Sequence, residues 1–284
     1  MARKQPARTL EHANAGSELA VCQPKFLPRN KLVGAAQRAA AINPVNQPAP
    51  AMFGRAFSLK PEFIAVLATK YWGAAGVNLT VSFLDSPPKA LRDRILSHLN
   101  AWSKKANVTF RHTAQQGQVR ITRLPGDGHW SYVGTDILSI PLGEATMNLD
   151  SFTMNTPESE YKRVVRHEAG HTLGYPHEHM RKQLVALIDR KKAIAHFGAT
   201  QGWDEQMVQL QVLTPLEDGS LIATTHADPK SIMCYHIPGF LTKSGAPILG
   251  GSDIVRTDHD FTGKIYPAQK KPKKKTPAAR RKTR

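Results

Sequence analysis

Cysteine is scarce in this 284-residue chain, which has only Cys22 and Cys234, far apart in the sequence. Two cysteines exclude a small secreted fold that is held together by a network of disulfides. The two thiols could pair with each other or stay reduced. Because 40% of the residues are hydrophobic, the chain can build a core without such cross-links.

Long hydrophobic runs are also absent. The basic N-terminus, Met1 to Pro6, is not followed by an apolar stretch of signal-peptide length. No segment reaches the roughly 20 apolar residues that a membrane-spanning helix needs. We therefore expect no membrane span, and a protein that stays in the cytoplasm or leaves it by a non-classical route.

Acidic residues are outnumbered by basic ones, 22 to 39, which gives a net charge of +17. Nine of the positive charges, and no acid, lie in residues 270–284. A segment of this composition cannot bury apolar surface, so we expect a disordered basic tail. The tail either keeps the protein soluble or makes weak contacts with a polyanion such as nucleic acid.

What the chain does contain is a histidine motif at residues 167–177, with the sequence HEAGHTLGYPH. His167 and His171 are four residues apart, so on a helix they lie one turn apart on the same face. Gly174 lets the chain leave the helix sharply and bring back His177 as a third ligand. Three neutral ligands plus a water are the open arrangement of one catalytic Zn²⁺, with Glu168 beside the open position.

The long form of this motif is far more specific than a bare H-E-x-x-H, because it adds a fixed glycine and a third histidine. A histidine pair alone often just packs or caps a helix. A zinc site whose third ligand is a distant glutamate is disfavoured, since His177 already fills that role. His129 and His179 lie outside the motif, and we interpret them as ordinary polar histidines.

The pattern of apolar residues divides the chain into three parts. Residues 1–70 are rich in Ala, Pro, Asn and Gln and are interpreted as an N-terminal extension, either a pro-segment or flexible, with a short helix at 33–42. Residues 71–269 form the catalytic domain, and residues 270–284 are the tail. Strands are predicted at 79–83, 108–111, 119–122, 129–134 (as an edge strand) and 145–149, and helices at 90–106, 158–173, 184–196, 204–213 and 258–266. This order indicates an α/β sandwich with a mixed sheet.

Three separated motifs resemble those of the astacins, a branch of the metzincin zinc peptidases. The histidine motif is followed directly by Glu178, as in that family. Residues 128–134, GHWSYVG, resemble the astacin segment Gly-Cys-Trp-Ser-Tyr-Val-Gly, and residues 231–235, SIMCY, resemble the astacin Met-turn. The run from about Leu79 to Pro267 looks most like bacterial astacin-like peptidases that lack the animal disulfides.

The resemblance implies an α/β (α+β) metzincin-like fold, with two lobes around a zinc cleft, a mixed sheet with one antiparallel edge strand and a zinc-binding helix. By position, Glu168 is the general base and Met233 packs beneath the metal. Tyr235 matches a tyrosine that can ligate zinc as a fifth ligand and then stabilise the transition state. Glu178 pairs in the family with a trimmed N-terminus, but in this chain it could pair with Arg181 instead.

These observations predict a zinc metalloendopeptidase that acts on protein or peptide substrates and works as a monomer. An extended substrate would add to the edge strand at Trp130, Ser131, Tyr132 and Val133. The alternative is a non-enzymatic polyanion-binding protein that uses its basic tail and retains a zinc site. Cys22 is either incidental or a thiolate that occupies the open zinc position and keeps the enzyme latent.

Overall fold

The computed structural model describes residues 22, 25–47, 69–215, 228–234 and 236–268. The strands are β1 (Val77–Phe83), β2 (Val108–His112), β3 (Val119–Thr122), β4 (Trp130–Ser131) and β5 (Met147–Asn148). The helices are α1 (Arg29–Ile42), α2 (Lys89–Leu99), α3 (Glu158–Glu160), α4 (Arg166–Thr172), α5 (Lys182–Val185), α6 (Arg190–Gln201), α7 (Glu205–Val208) and α8 (Arg256–Ile265).

The five strands form one mixed sheet in the order β2-β1-β3-β5-β4. Strands β2, β1, β3 and β5 are parallel to one another, and β4 pairs antiparallel with β5 at the edge of the sheet. The apolar face of α2, with Leu91, Ile95 and Leu99, is fully buried in the same hydrophobic cluster as β1 to β3. The expected mixed sheet with one antiparallel edge strand is confirmed.

The motif helix is a continuous run from α3 through a π-helical turn (Tyr161–Val165) to α4. Its apolar side chains lie in the main core beside Trp102. A π-helical turn widens a helix locally, and such turns are frequent near functional sites. The run corresponds to the helix expected at 158–173.

A second hydrophobic cluster lies C-terminal to the motif and includes Leu184, Phe197, Val212 and Ile237. The predicted single helix at 184–196 is two helices instead, α5 and α6. Asp189 begins α6 as its N-cap, because its side chain accepts a hydrogen bond from the Lys192 N–H (3.2 Å). With the sheet-bearing cluster, this second cluster makes up the two lobes of the metzincin-like fold.

The described part of the N-terminal extension packs against the sheet-bearing lobe. Leu27 and Ala35 of this segment form a small hydrophobic cluster with Ile140. Asn46 is fully buried, donates to the Ala39 and Tyr71 carbonyls and accepts from the Tyr71 N–H, each at 2.8 Å. The division of the chain into three parts stays a prediction, and residues 270–284 lie outside the described residues. Every described helix is too short or too polar to cross a bilayer.

Candidate metal centre

The three histidines of the motif converge on one point. The Nε2 atom of His177 lies 3.1 Å from the Nε2 atoms of both His167 and His171. All three side chains are at most 6% exposed. Nitrogen ligands about 2.0–2.1 Å from a tetrahedral zinc lie roughly 3.3 Å apart, so the spacing suits that metal.

Hydrogen bonds from the rings fix which nitrogens face the metal position. The Nδ1 of His167 lies 2.6 Å from the Ile232 carbonyl, and that of His171 lies 2.8 Å from the Tyr175 carbonyl. A carbonyl only accepts, so each Nδ1 carries the proton and each Nε2 presents a lone pair. Burial lowers the pKa of His167 to about 4, which keeps this ring neutral at pH 7. The donor set therefore fits a zinc ion.

The return of the third histidine depends on the end of α4. The Gly174 N–H donates to the His171 carbonyl (2.8 Å), and the Tyr175 N–H donates to the Gly170 carbonyl (3.0 Å). Gly174 adopts φ 99°, and a Cβ at this position would lie 3.0 Å from the Lys70 carbonyl oxygen. Both the backbone conformation and the space therefore require glycine, as the motif predicted.

Glu168 lies on α4 next to the cluster and is completely buried. No N–H or O–H group of the described residues donates to either of its carboxyl oxygens. Burial raises the pKa of this carboxyl to about 8, and an interaction with the Cys22 thiol partly opposes that rise. When no metal is bound, Glu168 therefore binds a proton more strongly than a solvent-exposed glutamate does.

The Met-turn lies directly under the histidines. Met233 is 4% exposed and packs against Gly170, where a Cβ would overlap its Sδ atom. The Met233 carbonyl accepts a hydrogen bond from the Glu178 N–H (2.8 Å). This turn therefore connects the second and third histidines to the C-terminal lobe. Tyr235, which follows this turn and was predicted as a possible fifth zinc ligand, lies outside the described residues.

Glu178 has a partner within the described residues. Its Oε1 atom lies 3.2 Å from Arg181 Nε and accepts from the Asp228 N–H at 3.2 Å. Burial raises the pKa of Glu178, and Arg181 opposes that effect. Of the two partners considered from the sequence, the structure brings Arg181 to this carboxylate.

The expected substrate strand borders the site as β4. Trp130 and Ser131 are buried, and Tyr132 and Val133 are half-buried. The Ser131 and Thr172 hydroxyls lie 3.1 Å apart, which links β4 to the end of α4. The outer edge of β4 is paired in parallel with Lys25 of the extension, whose N–H donates to the Ser131 carbonyl (3.3 Å).

Cys22 reaches the same centre. Its Sγ and one ring nitrogen from each of His167, His171 and His177 all lie within 4.8 Å of one another. The Cys22 side chain is buried, and burial raises the pKa of its thiol. Four converging N and S donors match the closed coordination of zinc.

A cavity of about 190 Å³ lies beside the cluster and is lined in part by residues to which the sequence assigned no role in the site. Its walls include His129, Arg163, Cys234 and His236. Arg163 lies one helical turn before His167, and its guanidinium donates to both carboxyl oxygens of Glu160 (3.0 and 2.7 Å). The spacing of Arg163 from His167 was the only feature of the sequence that could have placed it at the site. The positions of His129 and His236 depend on loops, for which the sequence holds no such signal.

This fold and this set of metal-binding side chains match those of metzincin-like peptidases. The family model for Astacin, a family of peptidases, matches residues 67–249, which is more than half of the chain. The chain therefore belongs to the astacin family, and the resemblance seen in its motifs is confirmed.

Individual relatives agree with this placement. The chain is 32% identical over 100 residues to zinc metalloproteinase nas-27 of Caenorhabditis elegans, an alignment that covers 35% of this chain and 21% of that protein. The chain thus spans only about a fifth of that curated relative. A structure of myroilysin matches with a TM-score of 0.65 and 31% identity, covering 70% of this chain and 97% of that one. A second myroilysin structure matches with a TM-score of 0.55 and 31% identity, over 70% and 86% of the two chains.

Proposed function

We propose that this protein is a zinc-dependent endopeptidase that hydrolyses protein or peptide substrates with Glu168 as the general base. The observation that carries the proposal is the convergence of three buried imidazole nitrogens beside an otherwise unsatisfied buried carboxylate. Membership of a peptidase family supports the enzyme over the non-enzymatic polyanion-binding alternative. That alternative rests on residues 270–284, which lie outside the described residues.

Each residue of the site has a definite role in this proposal. Zinc, when bound by His167, His171 and His177, supplies Lewis acidity that lowers the pKa of water towards 7 and polarises a carbonyl. Glu168 accepts a proton from the attacking water and passes it to the leaving amine. By its family position, Tyr235 donates a hydrogen bond to the oxyanion, a contact whose loss typically costs about 100- to 1,000-fold in rate.

The replacement Glu168→Gln tests the general base. It should lower kcat/KM by at least about 100-fold while leaving one zinc per chain, because the amide keeps the shape but cannot take the proton. Glu158→Gln, on the exposed start of the same helical run, is the matched control. Full activity of Glu168→Gln would overturn the mechanism. Tyr235→Phe should lose less activity, and wild-type behaviour would remove its proposed role.

We also propose that the extension keeps the enzyme latent by placing the Cys22 thiolate at the fourth metal position. The grouping of Cys22 with all three histidines supports this idea. A closed four-ligand site leaves no position for the reacting water. The same segment covers the outer edge of β4, so it occupies both the metal and the strand that would hold a substrate.

Cobalt substitution provides a test of latency that does not depend on activity. The full-length cobalt protein should show thiolate-to-metal charge-transfer absorption, which Cys22→Ser removes and the control Cys234→Ser retains. Chelator-sensitive peptidase activity of the full chain should rise in Cys22→Ser. If Cys22→Ser changes neither the absorption nor the activity, Cys22 has no part in latency.

A further inference from the structure

Lys25 of the extension occupies a defined place on the outer edge of β4. Its Nζ lies 4.7 Å from the centroid of the Trp130 ring, over the face of the indole. The same Nζ lies 4.0 Å from Asp127 Oδ1. An aromatic face and a carboxylate both attract an ammonium or a guanidinium group.

The catalytic domain holds this pair of side chains in position by itself. The indole Nε1 of Trp130 donates to Asp127 Oδ2 (2.8 Å), so the carboxylate and the ring are fixed to each other. Trp130 is only 6% exposed and packs edge-on against Tyr132, with ring centroids 6.0 Å apart. Asp127 lies in the tight turn that leads into β4, between two glycines with positive φ. The subsite therefore does not depend on Lys25 for its shape.

We propose that the Asp127–Trp130 pair is a substrate subsite that selects a lysine or arginine side chain. This inference rests on the proposed peptidase function. The backbone of Lys25 uses the Ser131 carbonyl, the same hydrogen-bonding edge that an added substrate strand needs. Its side chain thus marks where a substrate side chain lies once the extension has left.

The distance of this subsite from the reacting bond follows from the chain itself. Cys22 lies at the metal position, and Lys25 follows it by three residues along the same segment. The basic side chain of a substrate is therefore expected about three residues from the scissile bond. Both sides of the bond are tested, because the extension runs parallel to β4 and a substrate strand can also add antiparallel.

Matched peptides test the selection. A peptide that zinc-loaded Cys22→Ser protein cleaves at one bond is resynthesised with Lys, Arg or norleucine at each of the four positions on either side. At one position, Lys and Arg should give a kcat/KM about 5- to 20-fold above norleucine, from a cation–π contact and a half-exposed ion pair together. Asp127→Asn keeps an acceptor for the Trp130 indole, and it should lower that ratio at least about threefold.

Two further variants make the result decisive. Trp130→Leu should also lower the ratio, whereas Asp93→Asn, which removes a carboxylate from the exposed face of α2, should leave it unchanged. Chelator-sensitive cleavage with a ratio near one at every position would overturn the subsite, as would a ratio that survives both subsite variants. The absence of any chelator-sensitive cleavage would instead overturn the proposed function on which the subsite depends.

Discussion

Replacing Gly170 with alanine should destabilise this protein, although the same change stabilises most helices. In an open helix interior the gain is about 1 kcal/mol, because alanine has the higher helix propensity. Gly170 is different, since a Cβ there would overlap Met233 Sδ and lie 3.0 Å from Trp102 Cζ2. Trp102 cannot move aside easily, because it is 1% exposed and its Nε1 donates to the Arg166 carbonyl.

The magnitude follows from setting the two effects against each other. Overpacking a buried contact costs about 1–3 kcal/mol, which exceeds the gain in propensity. The free energy of unfolding should therefore fall by about 1 kcal/mol. Displacement of Met233 also shifts the neighbouring Ile232 carbonyl, which accepts from His167 Nδ1. Loss of such a contact typically lowers metal affinity about 10- to 100-fold.

Urea unfolding of the chelated protein gives the stability, and competition with a chromogenic chelator gives the zinc affinity. Gly34→Ala in α1 is the matched control, since a Cβ there has no atom within 4 Å. It should leave zinc affinity unchanged. In a double-mutant cycle, Met233→Ala should relieve part of the cost of Gly170→Ala. If Gly170→Ala is stabilising and binds zinc like wild type, the packing argument is wrong.

Three other perturbations probe the supports of the site. Gly174→Ala forces φ 99° on an alanine and crowds the Lys70 carbonyl. The zinc content measured by mass spectrometry should therefore fall below one ion per chain, and one full zinc ion per chain would contradict this. Asn46→Ala removes the hydrogen bonds between the extension and Tyr71 of the domain, at a cost of about 1–3 kcal/mol. Trypsin should therefore release the extension faster than in wild type, and equal rates would argue against this anchor. Burial raises the pKa of Asp136 to about 6, although Lys70 opposes this effect. Between pH 4 and 6 the folded protein therefore holds a proton that the unfolded chain releases, and the free energy of unfolding falls as the pH rises through this range. Asp136→Asn should remove up to roughly 3 kcal/mol of that fall in urea titrations of chelated protein, and parallel pH curves for the two proteins would contradict the assignment.

The local parts of the site could be predicted from the sequence because its chemistry depends on short spacings. The separation of His167 and His171 decides their shared face on any helix, and Gly174 decides the turn that returns His177. Strands β1, β2 and β3 alternate clearly in hydrophobicity, so their positions were predicted to within two residues. β4 and β5 pair over only two residues each, and their limits depend on tertiary contacts that no local pattern contains.

The contact made by Lys25 could not be predicted in this way, and for Cys22 the sequence left two alternatives open, an incidental cysteine or a zinc ligand. Cys22 has no local pattern around it, and only the folded chain brings it to histidines that lie far along the sequence. Lys25 is one of 39 basic residues, and nothing in the sequence separates it from the others until β4 pairs with it. Long-range contacts of this kind depend on how the extension packs on the domain, to which α1 and Asn46 anchor its described residues.

The two contacts belong to one short segment, so the proposed latency and the proposed subsite depend on the same few residues. In the proposed latent state, Cys22 at the metal position and Lys25 on Trp130 hold each other in place, because release of either raises the cost of keeping the other ordered. A subsite that suits a basic side chain is therefore also part of what keeps the extension in the cleft. The extension and a basic substrate must then compete for the same carboxylate and the same indole face.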